Sequence, residues 1–387
     1  MVPFRLPVEE TLTIEKLVYG GEGLARLGGK VVLAPFVLPG EVVRAETERA
    51  KNDLWRGRLI EVLEPAASRV TPGCPYFQRC GGCQYQHLDY ATQLEQKRAI
   101  LRETLQRGGK IEFAGEIGTI SGESWQYRNR VQLHIEDGKV GYFAQGSRDL
   151  CAIDHCPIAS PTLNTIIGKL QEMLAGFRSG SAAIELFTNE TDVQVNVMDR
   201  VPRQALSMFS TLGVTTPIEY NGFRVSRNSF FQVNRFLIDR LVECAVADAK
   251  GEWAVDLYAG VGLFSAKLAE RFVKVTAVES SSSSFRDLTH NFAQAGVNAN
   301  VEDYLAGLEE TPDFILADPP RTGLGKMAVK ELARIRASHL TIVSCDPATL
   351  ARDLQGLIAN NYWIGKITLV DLFPQTFHLE TVVELYA

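Results

Sequence analysis

From about residue 230 the chain repeats one pattern: a short apolar run, a turn, then a longer stretch of helical period. The runs are residues 254–258, 273–279, 314–318 and 340–343. They are rich in β-branched residues and too short for helices, so they read as buried strands. Strands that alternate with helices make a doubly wound parallel sheet, a Rossmann-like α/β fold. This pattern constrains the fold more than any other, and it says where chemistry belongs. Ligands of such sheets bind beyond the carboxyl ends of the strands.

The first strand runs into Asp256-Leu257-Tyr258-Ala259-Gly260-Val261-Gly262. Gly260 and Gly262 let the backbone approach a ligand, and Glu279 ends the next strand where it can take a pair of ribose hydroxyls. A dinucleotide site usually carries a third glycine where the helix packs, and Ser265 stands there instead. With Asp256 before the loop and Glu279 after it, the pattern favours S-adenosylmethionine over NAD. Asp303 can receive the adenine edge or simply cap a helix. Asp318, in Asp318-Pro319-Pro320-Arg321, ends the third strand and faces the same cleft.

The last strand ends at Ser344-Cys345-Asp346-Pro347, and a helix follows. A thiol at that corner can feel the helix dipole, which favours the thiolate. Alternatively it is a small buried hydrophobe. Downstream, Glu380 opens a final strand after the polar, aromatic stretch 371–379. A thiolate and a carboxylate at one cleft edge, beside a methyl donor, suggest conjugate addition to a pyrimidine. The thiolate adds at C6, C5 becomes nucleophilic towards the donor methyl, and a base then removes the C5 proton. Glu380 is the candidate base.

The 387 residues call for two or three domains. A formal charge of −6 excludes a chain coated in positive charge but leaves room for a local basic cleft. No apolar run approaches the roughly 20 residues of a membrane span. The N-terminal stretch lacks a signal-peptide core, so a cytoplasmic location is expected. The seven cysteines fit a reducing compartment better than a disulfide framework. Cys74, Cys80 and Cys83 crowd into ten residues. A fourth ligand must come from afar, either Cys156 or Cys151. Four thiolates suit zinc or an iron–sulfur cluster, and three ligands from one loop plus a distant fourth favour the cluster.

The front of the chain is different. Residues 11–14, 29–34, 41–45 and 55–63 are strand-like and punctuated by glycines, and short strands so closely spaced suggest a small five-stranded OB-type barrel. Between Arg44 and Arg58 lie five basic residues, Lys51 among them, against three acidic ones. Such a loop can track a phosphate backbone or be a solvated hairpin tip. Residues 90–107 read as an amphipathic helix. Residues 127–135, 140–143 and 193–197 alternate as antiparallel strands, with a helix around 161–176.

These motifs resemble the RNA (uracil-5-)-methyltransferases, specifically the 23S ribosomal RNA branch with an N-terminal TRAM domain and an iron–sulfur cluster. Ser344-Cys345-Asp346-Pro347-Ala348-Thr349-Leu350 looks like the nucleophile motif, and residues 373–382 look like the terminal motif. Residues 229–234, Ser-Phe-Phe-Gln-Val-Asn, look like a donor-contact segment. The resemblance implies Cys345 as nucleophile and Glu380 as base. It places Gln232, Tyr258, Glu279 and Asp318 at the S-adenosylmethionine site, alongside Gly260 and Asp303. It implies a 4Fe–4S cluster on Cys74, Cys80, Cys83 and Cys156. Many relatives carry Cys-Gly-x-Gly-Asn-Phe in the donor loop, where this chain has Ala259 and Leu263, so Leu263 is left out of the site.

The expected division is 1–66 TRAM, 67–229 central α+β domain with the iron–sulfur site, and 230–387 catalytic domain. The helix at 90–107 is expected to pack on the catalytic domain. The target uridine must be flipped out to reach the thiol. Phe230 or Phe231 can stack on it, and the barrel and residues 127–130 can hold the RNA backbone. The expected partner is 23S ribosomal RNA, or transfer RNA as the alternative, with the protein a monomer. A non-catalytic iron–sulfur RNA-binding protein is the rival from another class. A DNA cytosine methyltransferase would carry a Pro-Cys loop and a Glu-Asn-Val motif, and neither is present.

Overall fold

The computed structural model describes residues 8–50, 54–174, 181–199 and 207–387. Lys51 and the end of the helix expected at 161–176 lie outside them. The chain divides into two units. One takes the residues up to Ile100 with Phe143–Cys151 and Phe373–His378; the other takes Leu101–Tyr142, Ala152–Leu372 and Leu379–Ala387.

The first unit contains a closed five-stranded barrel of β1 (Val8–Leu17), β2 (Glu22–Leu27), β3 (Lys30–Pro35), β4 (Val42–Arg49) and β5 (Leu54–Glu64). The strand order is β1-β2-β3-β5-β4, closed by β4 on β1. Alternation along the strands turns Leu12, Ile14, Ala25, Val32, Ala34, Val43 and Ala45 inward. At Gly23 a Cβ would lie 2.4 Å from Val37 Cγ2, so the barrel closes there only around glycine. The basic stretch is largely spent on neighbours. Arg44 pairs with Glu61 at 2.7 Å, Arg58 with Glu46 at 2.6 Å, and Arg56 with Glu22. Exposed pairs of this kind are worth under about 1 kcal/mol, so phosphates can compete for these arginines.

Helix α1 (Tyr90–Gly109) starts in the first unit. In the second unit its C-terminal end packs so closely on residue 351 that a Cβ on Gly109 would lie 2.8 Å from the Ala351 carbonyl oxygen. Then follow β6 (Ile117–Ile120), β7 (Arg130–Glu136), β8 (Lys139–Phe143), β9 (Leu150–Ala152), α2 (Pro161–Leu174), β10 (Ser181–Thr188) and β11 (Val193–Val197). Strands β11-β10-β7-β8-β9 make one sheet, and its pairs β11–β10, β10–β7 and β7–β8 are antiparallel. A hairpin of β12 (Ile218–Tyr220) and β13 (Phe223–Val225) and helix α3 (Ile238–Ala245) lead to the large sheet.

That sheet alternates as the sequence predicts: β14 (Trp253–Leu257), α4 (Leu263–Ala269), β15 (Lys274–Val278), α5 (Ser282–Asn291), β16 (Ala295–Val297), α6 (Val301–Ala306), β17 (Phe314–Ala317), α7 (Gly325–Ile335), β18 (His339–Ser344), α8 (Pro347–Ile358), β19 (Trp363–Val370) and β20 (Glu380–Tyr386). The order is β16-β15-β14-β17-β18-β20-β19-β6. The first five strands are parallel and β20 inserts antiparallel between β18 and β19. Two features differ from a parallel sheet built from residues 230–387 alone. Strand β20 reverses direction, and β6, from the 67–229 stretch, extends the sheet by pairing with β19. Among the described residues no helix is long and apolar enough to cross a membrane.

Candidate active site

The parallel strands bring their carboxyl ends to one edge of the sheet. Leu257 pairs with Ala317 and with Val278, and Ala317 with Ile342. Tyr258, Asp318 and Glu279 therefore leave the sheet side by side, with Cys345 after the end of β18. Ser344 pairs with Thr381 in the antiparallel ladder of β18 and β20. Carried one step further, that register sets Cys345 opposite Glu380, at the roughly 4.5–5.5 Å Cα spacing of such neighbours. Reversal of β20 is what delivers a carboxylate, 35 positions later in the chain, to the thiol.

The thiol is not activated in the way the sequence suggests. Burial pushes it up to about 12, with the charges of Glu380 and then Asp318 adding to the effect and Arg321 opposing it. The positive end of α8 is already taken. Asp346 is its N-cap, and its Oδ1 accepts from Ala348 N at 3.0 Å and Thr349 N at 2.9 Å. Without a bound partner Cys345 is a thiol. Glu380 is 4% exposed, and burial, then the charge of Asp318, hold its carboxyl well above the usual range while Arg321 opposes them.

Arg321 is a cation beside Cys345 and Glu380 that the sequence reading passed over. Its only signal was its place after Asp318-Pro319-Pro320. The loop carrying it is strapped to α8. Thr349 Oγ1 donates to the Arg321 carbonyl at 3.2 Å, Arg352 Nη2 to the Thr322 carbonyl at 2.8 Å, and Leu324 N to Asp353 Oδ2 at 2.7 Å. A Cβ on Gly323, at φ +75°, would lie 2.3 Å from the Asp353 carboxylate. Rigid attachment keeps one cation beside the Cys345 thiol and the Glu380 carboxyl.

The donor loop is similarly tight. Gly262 has φ +94° and a Cβ there would meet Leu288 at 2.9 Å, whereas a Cβ on Gly260 would meet nothing within 4 Å. The space over Gly260 is open for a ligand. Its N–H donates to Glu279 Oε2 at 2.8 Å, and Ser281 N donates to Oε1 at 2.6 Å. Tyr258 is held at φ +62°, and burial, with the charges of Glu302 and Asp353, raises its hydroxyl. Beneath the loop Asp256 is fully buried and accepts from Ser265 Oγ. Burial raises Asp256 and Asp318 each to about 7, and the charge of Asp256 contributes to Asp318. Leu263 packs against the aromatic cluster around Phe231.

Gln232 joins this group: its Nε2 lies 3.5 Å from Asp318 Oδ2. The segment 229–234 is held by Asn129, whose N–H donates to the Val233 carbonyl at 3.0 Å, and by Arg130, which donates to the Ser229 carbonyl at 2.9 Å. Asp287 on α5 accepts from Ser229 Oγ and from Ser226 N and Oγ, all at 2.7 Å. Nothing in the sequence marked Asp287. Arg130 also lies 4.4 Å over the Phe187 ring. Tyr127 and Asn129 are fully buried. Within the 127–130 stretch expected to grip RNA, Tyr127 and Asn129 are thus inside the fold, and Asn129 and Arg130 brace the 229–234 segment. Phe231 is buried against Phe187, Tyr220 and Phe223, whereas Phe230 is 58% exposed. Of the two, only Phe230 is free to stack on a base.

Two expectations are not gathered into this group. Asp303 is exposed on α6, where its carboxylate accepts from Asn300 Nδ2 at 3.4 Å. The cysteine set is the second. None of the seven cysteines is in a disulfide. Among the described residues no group of three or more His, Cys, Asp or Glu is arranged to hold a metal ion. Backbone bonds set the turns of the loop: Phe77 N to the Cys74 carbonyl, Cys80 N to Tyr76 and Gly81 N to Phe143. Cys156, in the other unit, is tied through its N–H to Asn164 Oδ1 at 2.7 Å.

Comparison with known proteins places this arrangement. The sequence pattern of the tRNA (Uracil-5-)-methyltransferase family matches residues 177–306 and 305–387. A 23S rRNA (uracil(1939)-C(5))-methyltransferase of Chromohalobacter salexigens is 33% identical, over 97% of this chain and 88% of that protein. An uncharacterized RNA methyltransferase of Aquifex aeolicus is 31% identical over 97% of both. The crystal structure of Pyrococcus abyssi tRNA (uracil-54, C5)-methyltransferase with S-adenosyl-L-homocysteine superposes with a TM-score of 0.78 at 25% identity, covering 97% of this chain and 99% of that one. The chain belongs to the tRNA (uracil-5-)-methyltransferase family.

Proposed function

We propose that this RNA uracil methyltransferase transfers a methyl group from S-adenosylmethionine to C5 of a uridine in 23S ribosomal RNA, with Cys345 as nucleophile and Glu380 as base. The observation that carries the reading is the β18–β20 register, which sets thiol and carboxylate opposite one another at the ligand-binding edge of the sheet.

The thiolate of Cys345 bonds to C6, and the C5=C6 electron pair moves to the C4 oxygen as an enolate. C5 then takes the methyl group and the donor sulfur keeps the bonding pair. The Glu380 carboxylate removes the C5 proton, the C5=C6 bond re-forms, and the Cys345–C6 bond breaks to return the thiolate. Bound S-adenosylmethionine supplies an electrophilic methyl and a fixed positive charge, which favours the thiolate as Arg321 does. Gln232, Tyr258, Gly260, Glu279 and Asp318 have the chemistry to hold it, with Asp303 at the edge of that set. Glu279 offers a carboxylate to hydroxyls, and Asp318 with Gln232 offers polar contacts beside Cys345. Phe230 stacks on the flipped base.

The barrel and its arginines hold the RNA backbone, in the TRAM-like role of the 1–66 segment, and 67–229 and 230–387 form the central and catalytic domains of a cytoplasmic monomer. Cys74, Cys80, Cys83 and Cys156 have the donor chemistry of a 4Fe–4S site, and the Gly82 N–H that points at Cys80 Sγ at 3.4 Å is the kind of bond that tunes a ligating thiolate. Such a group takes no part in the steps above. Iron and acid-labile sulfide assays on anaerobically purified protein test it.

The catalytic reading is tested with Cys345→Ala and Glu380→Gln. The first should abolish methyl transfer, and the second should accumulate a denaturation-resistant RNA adduct. Normal methylation by both would sink the mechanism and favour a non-catalytic RNA-binding role. Transfer RNA is the second substrate reading, favoured by the full-length superposition on a tRNA enzyme. Mapping 5-methyluridine in ribosomal and transfer RNA, with and without the protein, decides between them.

A further inference from the structure

The strap that precedes β20, residues 373–378, is tied to the segment 84–97 through the Phe373 carbonyl, the backbone and side chain of Gln375, and the Phe377 N–H. Gln375 is the centre. It is 4% exposed and sits at φ +67°, a left-handed conformation that a non-glycine residue adopts only under strain. Such strain persists where the surroundings over-determine it. Here they do. Gln375 N donates to Gln93 Oε1 at 3.0 Å, and Gln375 Oε1 accepts from Gln93 Nε2 at 3.0 Å. The Gln375 carbonyl accepts from Gln84 N at 3.0 Å and Tyr85 N at 2.9 Å. On either side, the Phe373 carbonyl accepts from the buried Lys97 Nζ at 2.9 Å, and Phe377 N donates to Gln84 Oε1 at 3.5 Å.

We propose that Gln375 is a positioning residue for Glu380, clamped by Gln84, Tyr85 and Gln93, so that the segment directly after the cysteine loop helps to aim the catalytic base. The inference rests on the assignment of Glu380 above. Glu380 lies five residues beyond Gln375 in the chain, and only Leu379 separates it from the strap. A base must come within hydrogen-bond reach of the proton it takes. A strap with one allowed conformation hands β20 one starting point; a loose strap hands it many. The clamp is also more than a fold closure needs. An apolar loop would cover the same surface without a strained glutamine bonded at both backbone and side chain.

The test uses the full chain, ribosomal RNA from cells lacking the protein, and methyl-labelled S-adenosylmethionine. Gln93→Leu removes the side-chain bonds to Gln375. Gln375→Gly keeps the backbone bonds and relieves the strain, so it folds even if Gln93→Leu does not. A misaimed base slows proton removal after methyl transfer. Turnover should therefore fall about 10- to 100-fold, and a denaturation-resistant, methyl-labelled RNA adduct should build up, as in Glu380→Gln. Reduced turnover without adduct, or wild-type turnover in both variants, overturns the inference. If Glu380→Gln itself gives no adduct, the base assignment fails first; if Glu380→Gln gives adduct and the clamp variants do not, only the clamp fails.

Discussion

Asp256 is where the stability of the fold and the needs of the site oppose one another most directly. It lies fully buried under the donor loop, and burial raises its carboxyl from an ordinary 3.8 to about 7. Between those values the folded state holds a proton that the unfolded chain has lost. The stability it lends is complete below about pH 4 and is lost as pH rises towards 7. At about 1.4 kcal/mol per pH unit, the loss reaches about 4 kcal/mol above pH 7. Asp256→Asn keeps an acceptor for Ser265 and cannot ionise. Its extra N–H, if it finds no acceptor, subtracts a pH-independent amount of about 1–3 kcal/mol. The prediction is therefore a slope. Urea denaturation of both proteins at pH 4, 5, 6, 7 and 8 should show the variant gaining on the wild type by about 4 kcal/mol across that range, and levelling off above pH 7. A difference that stays flat with pH would refute the reasoning, because Asp256 would then be ionised in the folded protein throughout.

Three further outcomes follow from the geometry. Because burial holds both Cys345 and Glu380 above their ordinary values, turnover should rise with pH through neutrality, and the covalent adduct should lengthen its life as pH falls and Glu380 protonates; pH profiles with adduct quantified by denaturing gel check this. Arg321→Ala should move the rising limb of that profile to higher pH while donor affinity by calorimetry stays within a few-fold. Phe231→Ala should cost about 3–5 kcal/mol of stability by urea denaturation, whereas Phe230→Ala should leave stability within about 0.5 kcal/mol and raise KM for RNA.

Much of the site was legible because its signals are local. The apolar runs, the glycine turn and the Asp-Pro stop after Cys345 are each readable within a dozen residues, and strand ends in a parallel sheet predict one shared edge. What was not legible depended on partners distant in the chain. Nothing local separates Phe230 from Phe231; packing against Phe187 and Tyr220 does. Charge suggests solvent at Arg128 to Arg130, yet Arg130 donates to the Ser229 carbonyl and lies over the Phe187 ring.

The sequence by itself determined that Cys345, Asp318, Tyr258 and Glu279 end strands of one parallel sheet, since period, length and turn chemistry are properties of short segments. Only the tertiary structure decided that β20 runs antiparallel beside β18 and so sets Glu380 opposite Cys345. It also decided the state of the thiol. A helix N-terminus alone would favour the thiolate, but Asp346 caps that helix, and burial beside two carboxylates pushes the thiol up to about 12. Register, burial and charge are sums over neighbours, and neighbours are assigned by the fold.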